Sequence, residues 1–324
     1  MMEIGKINIR TWAMLGERRT FGAGLYELAK NMDKLFVLTG DLKSSSGLDR
    51  FANAFPNKFL SVGIAEQNMI GIASGLASDG FVPFVTSFSP FITGRCYDQI
   101  RMNLGYMHHN VKLVGLAAGV GIGIQGNSHY GIDDLSLMRN IPGMTVISPA
   151  DCSEVVKATE AAYLHDGPVY LRLVGEQNTP VVYKQDYDFQ IGKSITILDG
   201  TDIAIFASGS MVAQGLKVAN ELLYSGISVR VVNMHTIKPL DKVAVDKAYN
   251  ETKMVVTLEE ASIIGGLGSA VAEYVALKKS SIPLLIIGIE DFYPVAGSYQ
   301  YMLKQCGLDV TSVVAKIQKE YNKL

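Results

Sequence analysis

One pattern constrains this chain more than any other: short β-branched or aromatic runs alternate with helix-length segments from end to end. The runs are LFVLTG (35–40), FVPFVTS (81–87), VKLVGLAAG (111–119), MTVIS (144–148) and VYLRLV (169–174). Such alternation is the signature of a parallel sheet covered by helices. After a polar connection, YKQDYDFQIGK (183–193), it restarts with DIAIFAS (202–208), SVRVVNM (228–234), KMVVTLE (253–259) and PLLIIGI (283–289). The expected fold class is therefore α/β in two domains, each a mostly parallel sheet flanked by helices, with the division placed at 1–185 and 186–324. Apolar residues at three-to-four spacing predict helices over 18–31, 65–78, 151–165, 211–224 and 266–279.

The length agrees with this division, since 324 residues at roughly 150 per domain give two cores. Twenty-nine Lys and Arg against 31 Asp and Glu leave a net charge of −2, so no broad cationic field exists for nucleic acid. Only 19% of residues are charged, against roughly 25% in an average domain, and 48% are hydrophobic. An extensive subunit interface is one way to cover that surplus. The stretch from Leu113 to Ile124 is too short for a bilayer, which needs about 20 apolar residues, and the start MMEIGKINIRTWAML lacks the pattern of a secretory signal. Cys96, Cys152 and Cys306 are odd in number and form no CxxC pair, which argues against a disulfide framework and a zinc site and fits a reducing cytoplasm.

The 65–78 helix carries Ala65, Gly71, Ala73, Ser74, Gly75 and Ala77, a density of small residues that sacrifices helix propensity. Something is expected to approach its backbone closely, and a tightly packed internal helix would satisfy that as well. GIGIQG (121–126) matches a dinucleotide fingerprint only superficially, because a loop follows it instead of a helix. The cluster Gly265, Gly266 and Gly268 could hold an anion at a helix start or allow close packing. No GxxxxGK[ST], HExxH or GxSxG occurs. Unusual polar residues remain. Glu66 opens the small-residue helix, where the dipole favours a carboxylate, although a helix-start glutamate is commonly structural. His129 lies in a glycine-rich loop, where solvation alone would account for it, and Phe88 and Phe91 end a strand at the edge where ligands collect in parallel sheets.

The run SVGIAEQNMIGIASGLASDGFVPFVTSFSPFITGRCYDQIR, with SHYGIDDLSLMRNIPGMTVISPAD, GPVYLRL, TIKPLD and TLEEASIIGGLGSAVAE, resembles the carboxy-terminal half of transketolase over residues 8 to 324. The resemblance implies a thiamine diphosphate pyrimidine-binding domain followed by the transketolase C-terminal domain. The GDG sequence that binds diphosphate and Mg²⁺ in the other half has no counterpart, since Gly40 to Leu42 reads GDL. A split transketolase is implied, with thiamine diphosphate shared with an N-terminal, diphosphate-binding partner that supplies the Mg²⁺ ligands, in an assembly of two small and two large subunits. By the same resemblance, Glu66 hydrogen-bonds N1′ of the cofactor's aminopyrimidine with its carboxyl protonated or sharing a proton. Phe88 and Phe91 pack around the pyrimidine, and Asp41 lies near that pocket. His129 faces the reacting carbon as a candidate for proton transfer, and Arg18 and Ser45 hold the sugar phosphate.

Departures accompany the matches. Ala117 stands where sugar-phosphate transketolases have a histidine, and Gln125 stands where an aspartate reads a substrate hydroxyl. Gly175 or Glu176 replaces a second phosphate-binding arginine. Ketol transfer is expected, with an acceptor other than an ordinary sugar phosphate. The β subunit of a 2-oxo acid dehydrogenase shares the plan and the length, but its GGVFRVT-like stretch is absent and DLKSSSGLDRF stands where transketolases carry DLxxS. Deoxyxylulose-phosphate synthase is a related single long chain. A noncatalytic subunit of the same fold is the remaining alternative, and it has no reason to keep both Glu66 and His129.

Overall fold

The computed structural model describes residues 4–175, 179–278 and 282–324. Twelve strands form in chain order: β1 (Leu35–Thr39), β2 (Phe59–Ser61), β3 (Val82–Phe88), β4 (Lys112–Leu116), β5 (Thr145–Ile147), β6 (Val169–Leu173), β7 (Ile195–Leu198), β8 (Ile203–Ala207), β9 (Val229–Asn233), β10 (Thr236–Lys238), β11 (Met254–Ser262) and β12 (Leu284–Ile289). They build a seven-stranded sheet in the order β10-β5-β6-β4-β3-β1-β2 and a five-stranded sheet in the order β12-β11-β8-β9-β7. All pairings are parallel except β10 with β5 and β7 with β9.

All nine predicted strands form. The three that the pattern missed are short: β2, the antiparallel edge β7, and β10, which leaves the second half of the chain to pair with β5 of the first sheet. Strand β10 contains the start of TIKPLD, and a cis peptide joins Lys238 to Pro239 directly after it. The predicted helices appear at Glu17–Leu28, Glu66–Ser78, Cys152–Leu164, Met211–Tyr224 and Leu267–Val275. Lys279, the predicted end of the last, lies outside the described residues.

Strand residues alternate between two covered faces, as the double-sided hydrophobic runs require. Val37, Phe84, Val114 and Leu171 join Phe21, Leu25 and Val155 in one core, beneath helices Glu17–Leu28 and Cys152–Leu164. Their neighbours Leu38, Val85, Leu113 and Tyr170 face the other way, into a core that also takes Phe206, Val232 and Val255 of the second sheet. The two sheets therefore share one hydrophobic layer. The far face of the second sheet packs Ile205, Val231 and Val256 against helices Met211–Tyr224 and Val310–Tyr321.

Helix Glu66–Ser78 buries Met69, Ile70, Ala73 and Ser74, but Gly71 and Gly75 are exposed. A Cβ at either glycine would meet nothing within 4 Å, so the expected close approach does not occur among the described residues.

The second sheet supports its own loop with Glu259, which is fully buried on β11. Its carboxylate accepts from the backbone N–H groups of Leu267 and Gly268, both at 2.7 Å, at the start of helix Leu267–Val275. Burial nevertheless pushes the carboxyl up from 4.5 to about 7. The folded chain thus holds this proton more tightly than the unfolded chain. The contribution is complete below pH 4.5 and is lost as pH rises through about 7, a swing of about 3 kcal/mol. Urea denaturation of the wild type and Glu259→Gln at pH 5 and pH 8 checks this: the variant is expected to gain on the wild type as pH rises, and parallel stability curves would refute it.

Candidate active site

In a parallel sheet the C-terminal strand ends gather loops that carry function. Here β1 leads into Gly40 and Asp41, β3 ends at Phe88, β4 leads into Ala117 and β6 leads into Val174 and Gly175. Glu66, the first residue of its helix, is only 3% exposed at this edge. Its carboxylate accepts from Ser87 Oγ of β3 at 3.3 Å and from Arg95 Nη1 at 2.9 Å. Gly40 lies against it, with a hypothetical Cβ 3.4 Å from Glu66 Cγ, so Asp41 begins the loop beside this carboxylate. Asp41 itself is exposed and has φ 62, a left-handed conformation that aspartate adopts more readily than most residues.

Arg95 was not singled out by the sequence pattern. Its guanidinium stacks 4.2 Å from the centroid of Phe91 while pairing with Glu66, and its side chain remains 44% exposed. Phe91 meets His129 at 5.1 Å between ring centroids, Phe88 meets His129 at 5.9 Å, and the two phenylalanines meet at 6.1 Å, all edge to face. The structure thus brings Glu66, Phe88, Phe91 and His129 together through Arg95. All three rings are half-buried, and Ser128 Oγ lies 3.0 Å from His129 Nδ1. Gln125 is exposed in the short turn Gly123–Gln125 of the same loop.

Buried polar groups hold this arrangement from behind. Ser89, between the two phenylalanines, donates to Asp134 Oδ2 at 2.9 Å. The same oxygen accepts from Tyr170 Oη at 2.7 Å and Arg172 Nε at 2.8 Å. Arg172 continues to the carbonyls of Gly131 and Glu260 at 3.2 and 2.8 Å. Glu260, fully buried on β11 of the second sheet, accepts from Val120 N at 3.0 Å, Ser210 Oγ at 2.6 Å and Tyr299 Oη at 2.5 Å. Burial raises its pKa as well. The TLEE run therefore has two structural duties: Glu259 secures a helix start and Glu260 grips the loop that follows Ala117. Ala117 has φ 50, a conformation that costs an alanine roughly 1–2 kcal/mol.

Arg18 and Ser45 line one cleft of about 320 Å³ together with Leu15, Gly16, Arg19, Ser44 and Gly175. Two glycines make this meeting possible. A Cβ on Gly22 would sit 2.1 Å from the carbonyl oxygen of Gly47, so only glycine lets helix Glu17–Leu28 settle onto the loop after β1. Gly47 itself has φ +69. Gly175 occupies the wall of this cleft, whereas Glu176 lies outside the described residues.

The donor set suits the aminopyrimidine of thiamine diphosphate: a buried carboxylate at a helix start, flanked by half-exposed aromatic rings. Among the described residues, no group of three or more His, Cys, Asp or Glu side chains is placed to hold a metal ion.

Family models match almost the whole chain. "Transketolase, pyrimidine binding domain" spans residues 15–180 and "Transketolase, C-terminal domain" spans residues 192–313. A 6-deoxy-6-sulfo-D-fructose transketolase subunit of Clostridium sp. is 39% identical, aligned over 92% of each chain. A putative transketolase C-terminal section of Methanocaldococcus jannaschii is 40% identical over 95% of this chain and 97% of its own. An apulose-4-phosphate transketolase subunit from Phocaeicola vulgatus is 37% identical over 91% of this chain and 94% of its own. A solved structure described as a split gene transketolase, inactive beta4 tetramer, superposes with a TM-score of 0.85 at 38% identity, over 95% of this chain and 98% of that one.

Proposed function

Because the chain belongs to the transketolase family through its pyrimidine-binding and C-terminal domains, we propose that it is the small subunit of a split, thiamine diphosphate-dependent transketolase, transferring a two-carbon ketol unit from a ketose to a carbonyl acceptor. The observation that carries this reading is the buried Glu66 carboxylate, joined through Arg95 to the Phe88, Phe91 and His129 rings. Thiamine diphosphate held there would supply the electron sink for breaking and forming the carbon–carbon bond. Within this chain, Glu66 holds a proton at N1′ of the aminopyrimidine, Phe88 and Phe91 pack its ring and exclude water, and Asp41 borders the pocket. His129 moves protons to and from substrate oxygens. Arg18 and Ser45 bind the substrate's far end, and Gln125 lies on its path.

The diphosphate and the Mg²⁺ ligands belong, in this reading, to an N-terminal partner subunit, and the active form pairs two small with two large subunits. Domain limits of 1–185 and 186–324 and a cytoplasmic setting go with it. No helix among the described residues is long and apolar enough to cross a membrane. Relatives named for a sulfonated ketose and for apulose-4-phosphate support substrates outside the ordinary pentose phosphates, and Ala117, Gln125 and Gly175 support an acceptor outside them.

The test is reconstitution. The purified chain with thiamine diphosphate and Mg²⁺ is expected to give no ketol transfer, and addition of a diphosphate-binding subunit to restore it. Full turnover by the chain alone would overturn the division of labour.

A further inference from the structure

Glu17 is a buried carboxylate for which neither the sequence pattern nor the roles above give a use. It begins helix Glu17–Leu28, is fully buried, and sits between Gly16 and Arg18, both of which line the Arg18–Ser45 cleft. Its Oε2 accepts from the backbone N–H of Gly175 at 2.8 Å. Its Oε1 is buried with no hydrogen-bond partner among the described residues. That oxygen lies directly behind the cleft wall, because a Cβ built on Gly175 would fall 2.6 Å from it.

Two consequences follow from this placement. No side chain fits at position 175 while Glu17 is present, so among the described residues the cleft receives its cationic groups from Arg18 and Arg19. An anion held there also has a carboxylate behind the Gly175 wall, and its repulsion, like the attraction of Arg18 and Arg19, scales with the anion's charge. The carboxylate therefore takes more from a dianion than from a monoanion of the same shape and narrows the preference that the arginines alone would give. Desolvation already pushes the Glu17 carboxyl up to about 7, with Glu260 and Asp151 adding repulsion, which is the behaviour of a group with no cation to answer it.

We propose that Glu17 is a specificity-determining residue that narrows the cleft's preference for a phosphate dianion over a singly charged anionic group of the sulfonate class at the substrate's far end. This rests on the reading of Arg18 and Ser45 as the terminal-group subsite, but its test needs neither cofactor nor partner, so it fails or holds apart from ketol transfer.

The experiment titrates the purified chain at pH 8 with methanesulfonate and methyl phosphate, which share a shape and differ by about one charge, following backbone amide shifts of residues 15–19, 44–47 and 175. The wild type is expected to favour methyl phosphate over methanesulfonate by a smaller factor than Glu17→Gln does. Glu17→Gln is expected to strengthen methyl phosphate about fivefold or more while changing methanesulfonate much less. A second pair guards against a misfolded variant: Gly175→Ala is expected to lower the melting temperature by several degrees and Glu17→Ser combined with Gly175→Ala to recover it. Equal effects of Glu17→Gln on both anions, binding of neither anion at the cleft, or a Gly175→Ala chain as stable as the wild type would each overturn the proposal.

Discussion

Glu66→Gln is expected to leave the fold in place and to slow ketol transfer in the reconstituted complex by about two to four orders of magnitude, the span by which a positioned proton donor accelerates a reaction. The amide is close to isosteric and still meets Ser87 and Arg95, so the buried pocket keeps its shape. It can donate a hydrogen bond but cannot pass a proton to N1′. The loss is therefore expected in kcat, with cofactor affinity changed little. Hydrogen–deuterium exchange at cofactor C2 measures the affected step directly, and wild-type exchange in the variant would remove Glu66 from this role. Arg95→Ala provides a contrast. It removes the guanidinium that fixes both the carboxylate and the Phe91 ring, so cofactor affinity is expected to fall along with the rate.

Asp134→Ala is the substitution expected to cost the most stability. Asp134 is fully buried, and its Oδ2 takes three hydrogen bonds, one of them from Arg172, which is itself only 1% exposed. Removing one partner of a buried ion pair leaves an uncompensated charge, at a cost of about 3–5 kcal/mol. Tyr170 and Ser89 would lose their acceptor at the same time. Replacing the pair together, as Asp134→Leu with Arg172→Met, is expected to cost less than Asp134→Ala alone, because no charge is then stranded. Urea denaturation of the three variants separates these outcomes. A cost below about 1 kcal/mol for Asp134→Ala would show that the pair is dispensable. Since Ser89 sits between Phe88 and Phe91, the same change is expected to loosen the aromatic cluster, which thiamine diphosphate titration of the complex would report as weaker binding.

Much of the architecture was legible because parallel strands covered on both faces are written as continuous apolar runs. The nine strands written in such runs and the five helices with an unbroken apolar stripe stood out for that reason. Elements whose apolar content is small escaped. Strand β10 offers three residues, and its place beside β5 is fixed by the return of the chain from the second domain. Helix Val310–Tyr321 did carry a local signal, Asp309 capping Ser312 ahead of Val313 and Ile317, which propensity alone did not bring out.

At the site, the residues named from the resemblance fall into two groups, and neither grouping is visible in their spacing. Phe88 and Phe91 lie 38 or more positions from His129, and Arg18 lies 27 from Ser45. The sequence by itself determined which residue types are present, the strand and helix runs that carry them to the C-terminal edge, and the family resemblance borne by the stretch around Glu66. Tertiary structure alone decided what those residues touch: that Arg95 answers Glu66, that Glu260 reaches from the second sheet to Val120, and that Glu17 fills the space beneath Gly175. Local pattern is set by side chains a few positions apart, which the chain's periodicity records. Pairing of buried polar groups depends on which loops the packed sheets bring within about 3 Å, and no periodicity encodes that distance.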